Sequence, residues 1–402
     1  MRQNPLLRSR DGLLYLIAQL MDAIGGGVAV VALPWLVLDT GGSHALAGAA
    51  YLVGTIPYVV LGIPAGNLGD RVPRRRIMIT ATMVQALAAC ALPVLVAGGT
   101  PERKLPVALI FAAGFAVTAG RVFVDAAAFG AISRLVGDAH FVEGQAALSL
   151  VWSLGFLVGP ALGGALIGWA GPVEALWVQA GGFVIAVVLF WLIRTELGPD
   201  RDEIPVEGDR RSGVALILRH PVLRRLTGYG MAWNFVVNLF YALIVVYARA
   251  VIHAGGPAAG RMLAVGGVAG LVGGSSAPAV RARLGASLGL RLAVAANAAG
   301  AVAMALAGTL FEATLAFGLL EGTAILFITM LIGERQVIAS PSEQSRVGIT
   351  GRMSALLAAS AGALLASGLV AHVSVDAVYT IAAAATLVVA TAGQRLLRIV
   401  MP

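Results

Sequence analysis

The sequence predicts an all-α membrane protein, with twelve transmembrane helices in two six-helix bundles and both termini on the cytoplasmic side. Three observations carry that expectation. Of 402 residues, 59% are hydrophobic and only 12% charged, and the mean hydropathy is +0.89, against roughly 25% charged residues in an ordinary soluble domain. So few charges cannot cover a water-facing surface, which argues against a soluble enzyme, a nucleic-acid binder or a disordered chain. The apolar residues fall into runs of about 20, the length that crosses the hydrocarbon. Finally, the 28 basic residues gather in alternate gaps between those runs. With a cytoplasmic N-terminus, only Arg103, Lys104, Arg249 and Arg261 face outward, and Arg121 lies inside a span. A formal charge of +8 is therefore a topology signal rather than a nucleic-acid signature.

The spans are expected at about 12–38, 46–69, 76–98, 105–134, 142–170, 173–194, 222–250, 258–281, 287–309, 311–333, 349–372 and 375–396. The first run is too long for a signal-peptide core and no A-x-A site closes it, so it is read as an uncleaved span. The 51 glycines suit close helix packing in lipid, where no hydrophobic effect drives helices together. The single cysteine, Cys90, sits in an apolar run and reads as a small core residue. Between spans six and seven, the nine charged residues of 196–211 with Pro199 and Pro205 read as a solvated linker. The expected domains are residues 1–194, a linker at 195–220, and residues 221–402. Two similar halves in tandem suggest a parallel repeat with a site where they meet.

The gap between spans two and three reads Gly66-Asn67-Leu68-Gly69-Asp70-Arg71-Val72-Pro73-Arg74-Arg75-Arg76. It resembles the signature loop of the major facilitator superfamily, G-x-L-a-D-R-x-G-R-R, with Gly69 and Pro73 departing from it. Span five carries Gly155, Gly159, Pro160, Gly163 and Gly164 in an order similar to that superfamily's antiporter motif, G-x-x-x-G-P-x-x-G-G. Gly155, Gly159 and Gly163 share one helix face and make a groove for a neighbouring helix. Ala32-Leu33-Pro34 resembles the drug:proton antiporter branch, and within it the siderophore-exporter and macrolide-efflux group. Two departures stand out. Gly25 occupies a position where that branch often has an acid, with Asp22 about one turn away, and of its fourth-span R-x-x-q-G only Arg121 is matched.

Charges inside the spans need a partner, a wet cavity or a function, because each costs roughly 2.5–3.5 kcal/mol at bilayer depth on insertion scales. Asp22, Arg121, Asp125 and Glu321 are the proton-coupling candidates. Arg121 and Asp125, four apart, are either an internal ion pair or part of a working site. Glu321 has no partner in its own span. Trp233, Asn234, Asn238 and Tyr241 are the substrate-cavity candidates, the last three forming an i, i+4, i+7 stripe that either lines a cavity or glues helices. These residues fall on spans one, four, seven and ten, which line the central cavity in the resembled superfamily. Gly66, Asp70, Arg71, Arg74 and Arg75 are read as a gating loop.

No histidine pair has metal-ligand spacing, and no catalytic triad or P-loop occurs. No metal, cofactor or enzymatic activity is expected, and the energy source is an ion gradient, most simply protons, or the cargo's own gradient. The expected function is a secondary transporter of the cell membrane working by alternating access: proton-coupled efflux of a hydrophobic small molecule, drug or secreted metabolite. The alternatives are a proton- or sodium-coupled nutrient importer, then a membrane-embedded enzyme or lipid-handling protein. Small-molecule cargo, protons and the bilayer are the expected partners, and a monomer suffices.

Overall fold

Inside hydrocarbon a backbone must pair its own N–H and C=O groups, which favours helices. The computed structural model describes residues 5–69, 71–97, 106–137, 140–198, 213–339 and 344–400, and these are helical with short connections. After a short turn at Pro5–Leu7 come α1 (Arg10–Asp39), α2 (His44–Val53), α3 (Ile56–Gly69), α4 (Arg74–Ala97), α5 (Val107–Val136), α6 (Phe141–Trp169) and α7 (Pro172–Leu192). The remainder are α8 (Gly213–Arg219), α9 (Pro221–Tyr241), α10 (Ile244–Ala250), α11 (Gly256–Leu306), α12 (Leu310–Ile338), α13 (Gln344–Leu369) and α14 (Val375–Val400). Start signals are local. Ser9 accepts a hydrogen bond from Gly12 N at the head of α1, Pro172 and Pro221 open α7 and α9, and Thr309 with Glu312 closes a capping box on α12.

Among the described residues, eleven stretches are long and apolar enough to cross a membrane. Large apolar side chains face outward along them, including Leu87, Trp191, Leu364 and Val388. Such a surface is stable only against lipid, and the chain is a multi-pass membrane protein.

Two spans differ in detail from expectation, those at 46–69 and 222–250. The two spans expected at 258–281 and 287–309 are the two helices that meet within α11. Gly285 breaks it between them, with φ 75° and ψ 168°, a conformation that glycine adopts without strain. The span expected at 46–69 is divided at Gly54 and Thr55, just before Pro57, whose missing N–H and ring disfavour a continuous helix. The span expected at 222–250 is divided at Ala242 and Leu243.

Two compact units emerge: residues 1–42 with 53–206, and residues 43–52 with 207–402. In the first unit α1 lies against α6 and α7, α4 against α5 and α7, and α3 against α5. Tyr15, Met78, Val124, Leu148 and Phe190 are among its core residues. Its packing continues past residue 194, since Leu197 is buried and its carbonyl accepts from Arg74 N at 2.8 Å. In the second unit α11 packs on α12 and α14, and α9 on α13 and α14, around Leu226, Trp233, Phe327 and Leu331. Part of the expected linker is the helix α8, which buries Leu216 and Ile217 against Leu223, Ala339 and Val347.

Candidate functional site

The first unit holds a buried ionic cluster built from four helices. Asp22 of α1 has a fully buried side chain, and its Oδ2 lies 2.7 Å from Arg121 Nη1 of α5. Arg121 Nε lies 2.9 Å from Asp125 Oδ1, one turn along the same helix. The second oxygen of Asp125 accepts from the Tyr58 hydroxyl of α3 at 2.7 Å. With its amide oriented to satisfy both ends, Gln85 of α4 donates to Asp22 Oδ1 at 2.6 Å and accepts from Arg121 N at 3.0 Å. One guanidinium thus serves two carboxylates, and with both ionised the cluster carries one uncompensated negative charge. A single proton removes it.

Arg121 and Asp125 pair within α5, and Arg121 also reaches across to Asp22. Sequence reasoning named those three residues and missed Tyr58 and Gln85. Each of the missed pair is an uncharged polar residue in an apolar run, with no charge of its own to draw attention to it.

The second cluster lies in the second unit. The Tyr241 hydroxyl donates to Glu321 of α12, so the carboxylate without a partner in its own span finds one on another helix. Tyr241 also meets Phe317 edge-on, 6.2 Å between centroids. Asn238 Oδ1 accepts from the Tyr51 hydroxyl of α2 at 2.7 Å, while Asn238 Nδ2 donates to Asn234 O and Asn234 Nδ2 to Gly230 O, both at 2.8 Å. These two amides partly satisfy their own helix. Behind Glu321 the backbones of α11 and α12 touch: a Cβ on Gly273 would sit 1.9 Å from Gly322 O.

Trp233 is not part of this group. It is 2% exposed and packs on Phe327, 4.8 Å between centroids, near Tyr229. One residue from Asn234 is a rotation of about 100° around the helix, which turns Trp233 into the core.

The sequence-predicted gating loop is described except at Asp70, which lies outside the described residues. Gly66 is exposed, and Arg71 N donates to Leu68 O at 3.1 Å. Arg74 donates to Gly130 O at 3.1 Å and Gly198 O at 3.4 Å. Arg75 donates to Phe190 O and Trp191 O, and Arg10 to Leu192 O. The carbonyls at the end of α7, which have no partner inside the helix, are thereby held by cations. At the same end, Asp11 accepts from Arg194 N, Thr195 N and Thr195 Oγ1, the last at 2.6 Å.

The glycines of α6 form the seat of α1. A Cβ on Gly155 would strike Ala23, and one on Gly163 would press Val28. A Cβ on Gly159 would lie 2.6 Å from Gly27 Cα and 2.8 Å from Ile24 O. Gly27 is the reciprocal position, meeting Gly159 Cα and Pro160 at 2.8 and 2.9 Å. Gly163 and Gly164 are buried. Among the described residues no group of three or more His, Cys, Asp or Glu could hold a metal ion.

Comparison with known proteins gives three findings. The family model of the Major Facilitator Superfamily matches residues 15–336. The multidrug efflux pump Tap of Mycolicibacterium fortuitum is 33% identical over 231 residues, 53% of this chain and 54% of Tap. The macrolide efflux protein A of Streptococcus pyogenes is 24% identical over 241 residues, 56% of each chain. The chain thus spans about half the length of these curated relatives. Among solved structures, a bacterial homologue of the iron transporter ferroportin, in its inward-facing state, is 18% identical with a TM-score of 0.72, covering 96% of this chain and 98% of that one. That likeness concerns the fold.

Proposed function

The chain belongs to the major facilitator superfamily of transporters, and from that premise we propose that it exports a hydrophobic small molecule, drug or secreted metabolite in exchange for protons. Its cargo crosses chemically unchanged, by alternating access, with both termini cytoplasmic. The observation that carries the reading is the Asp22–Arg121–Asp125 cluster, whose charge is odd by one. A buried set with two carboxylates and one guanidinium has two stable states, protonated and deprotonated, and which one is favoured responds to any charge or dipole brought near it. Proton binding and cargo binding then compete, the requirement for exchange.

Glu321 with Tyr241 offers a second proton acceptor, and the Tyr241 ring, backed by Phe317, offers an aromatic face to an apolar cargo. The Gly155–Gly163 seat of α1 serves as a close helix contact that seals the bundle. Arg74 and Arg75, at the start of α4, tie the gating loop to carbonyls of α5 and α7. Direction of transport is taken from the two efflux-pump relatives.

The test uses everted membrane vesicles from cells making the protein, energised to an acidic interior. Adding a lipophilic fluorescent cargo such as ethidium, or members of a broad drug panel, is expected to release protons from the vesicles. A pH gradient that no compound disturbs, in vesicles shown to contain the protein, would remove proton exchange from the account.

A further inference from the structure

Asp22 raises a question of access, because its side chain is wholly enclosed. We propose that protons leave Asp22 along the inner face of α1, past Gln19 and Tyr15 to the Asp11 end of the bundle, by a hydrated route. This rests on the proton-exchange reading above and adds the path and its residues.

Asp11, Tyr15, Gln19 and Asp22 are spaced four, four and three apart and so share one helix face. The face begins at the bundle end, where Asp11 is hydrogen-bonded to Thr195 and its side chain is 14% exposed. Tyr15, Gln19 and Asp22 are fully buried. The Tyr15 hydroxyl donates to Ala128 O at 3.0 Å, one turn from Asp125, and lies within electrostatic reach of Gln19 and Asp125. Gln19 Oε1 accepts from Trp152 Nε1 at 3.3 Å. Side chains three or four residues apart on one helix face reach each other directly, as Arg121 and Asp125 do, or through one bridging water.

The second observation is that polar atoms on this route lack protein partners. Among the described residues, Gln19 Nε2 and Thr82 Oγ1 have no hydrogen-bond partner, and both residues are 0% exposed. Thr82 stands one turn from Gln85, which holds Asp22. The surrounding packing is otherwise aliphatic: Leu16, Ala18, Ala81, Val124 and Ala127. An unmet donor or acceptor in such a setting is costly, and leucine and valine would fill the same space without it. A water with two or more of these groups around it meets the usual condition for buried solvent. The titratable and charged groups facing the route include Arg10, Asp11, Tyr15, Asp22, Tyr58, Arg121 and Asp125. Gln19 and Thr82 take up no net proton. The proton leaves the Asp22 carboxylate and ends in bulk water at the Asp11 end.

Gln19→Leu, Thr82→Val and Tyr15→Phe test it, in proteoliposomes with a trapped pH dye and ethidium as cargo. Two rates are read: ethidium-driven proton movement, and ethidium–ethidium exchange at equal pH, which needs no net proton transfer. Gln19→Leu is expected to slow proton movement about tenfold while exchange stays within about twofold of wild type. Tyr15→Phe keeps the packing and shifts the same ratio in the same direction, so it carries the test if Gln19→Leu does not fold. Wild-type proton rates in both variants, or both rates falling in equal proportion, would overturn the route while leaving proton exchange intact. Ethidium transport by the wild type with no proton movement would sink both.

Discussion

Removing the Arg121 guanidinium should produce a loss of stability that acid repairs. In Arg121→Met the aliphatic stem stays but the contacts at 2.7 and 2.9 Å to Asp22 and Asp125 disappear. Two carboxylates then remain in a buried site, supported only by Gln85 and Tyr58. Breaking a buried pair by deleting one partner costs about 3–5 kcal/mol. A membrane domain feels this as a large fall in melting temperature, since 1 kcal/mol shifts a domain of 150–250 residues by about 2–4 °C. Protonating one carboxylate removes the repulsion between them, and protonating both removes the buried charge. The variant's deficit should therefore be greatest at neutral or alkaline pH and shrink as pH falls. The assay is thermal unfolding of detergent-purified wild type and Arg121→Met from pH 8 down to pH 5 (about three decades of proton activity). Adding Asp22→Asn to Arg121→Met should recover part of the loss, with a coupling of roughly 0.5–3 kcal/mol between neighbouring sites. An Arg121→Met protein as stable as wild type at every pH, or one whose deficit grows in acid, would refute the claim that the cluster holds an odd charge.

Gly159→Ala places a methyl 2.6 Å from Gly27 Cα and 2.8 Å from Ile24 O, so α1 must lift from α6. The expected result is a loss of about 1–3 kcal/mol, measured by the same unfolding, with transport reduced further than stability alone explains. Glu321→Gln should keep the protein in the membrane and retain the Tyr241 hydrogen bond, because an amide oxygen still accepts, while lowering cargo-driven proton movement. Unchanged coupling in proteoliposomes would remove Glu321 from the mechanism.

What could be read in the chain, and what could not, divides along the reach of helical periodicity. The apolar runs, the charge alternation and the buried ionisable residues are visible because each is a property of one segment. The i,i+4 relation of Arg121 to Asp125 was equally visible. Its link to Asp22 was not, because nothing in a linear sequence says which face of α1 turns toward α5. Tyr51, Tyr58 and Gln85 join the clusters from other helices and carry no local mark. Trp233 shows the opposite error: it was grouped with Asn234 by adjacency, although adjacent helical residues point about 100° apart. The breaks at 54–55 and 242–243 were hidden by unbroken hydrophobicity, although Pro57 was a legible warning for the first.

The contact between Gly27 and Gly159 has a genetic consequence. Where a bulky residue meets a bulky one, an enlargement on one side is relieved by a reduction on the other. Here neither position has an atom to surrender. Suppressors of a lesion at one should therefore never arise at its counterpart. They should appear instead among the flexible neighbours that tilt or shift one helix as a whole, and a selection for revertants would map those neighbours directly.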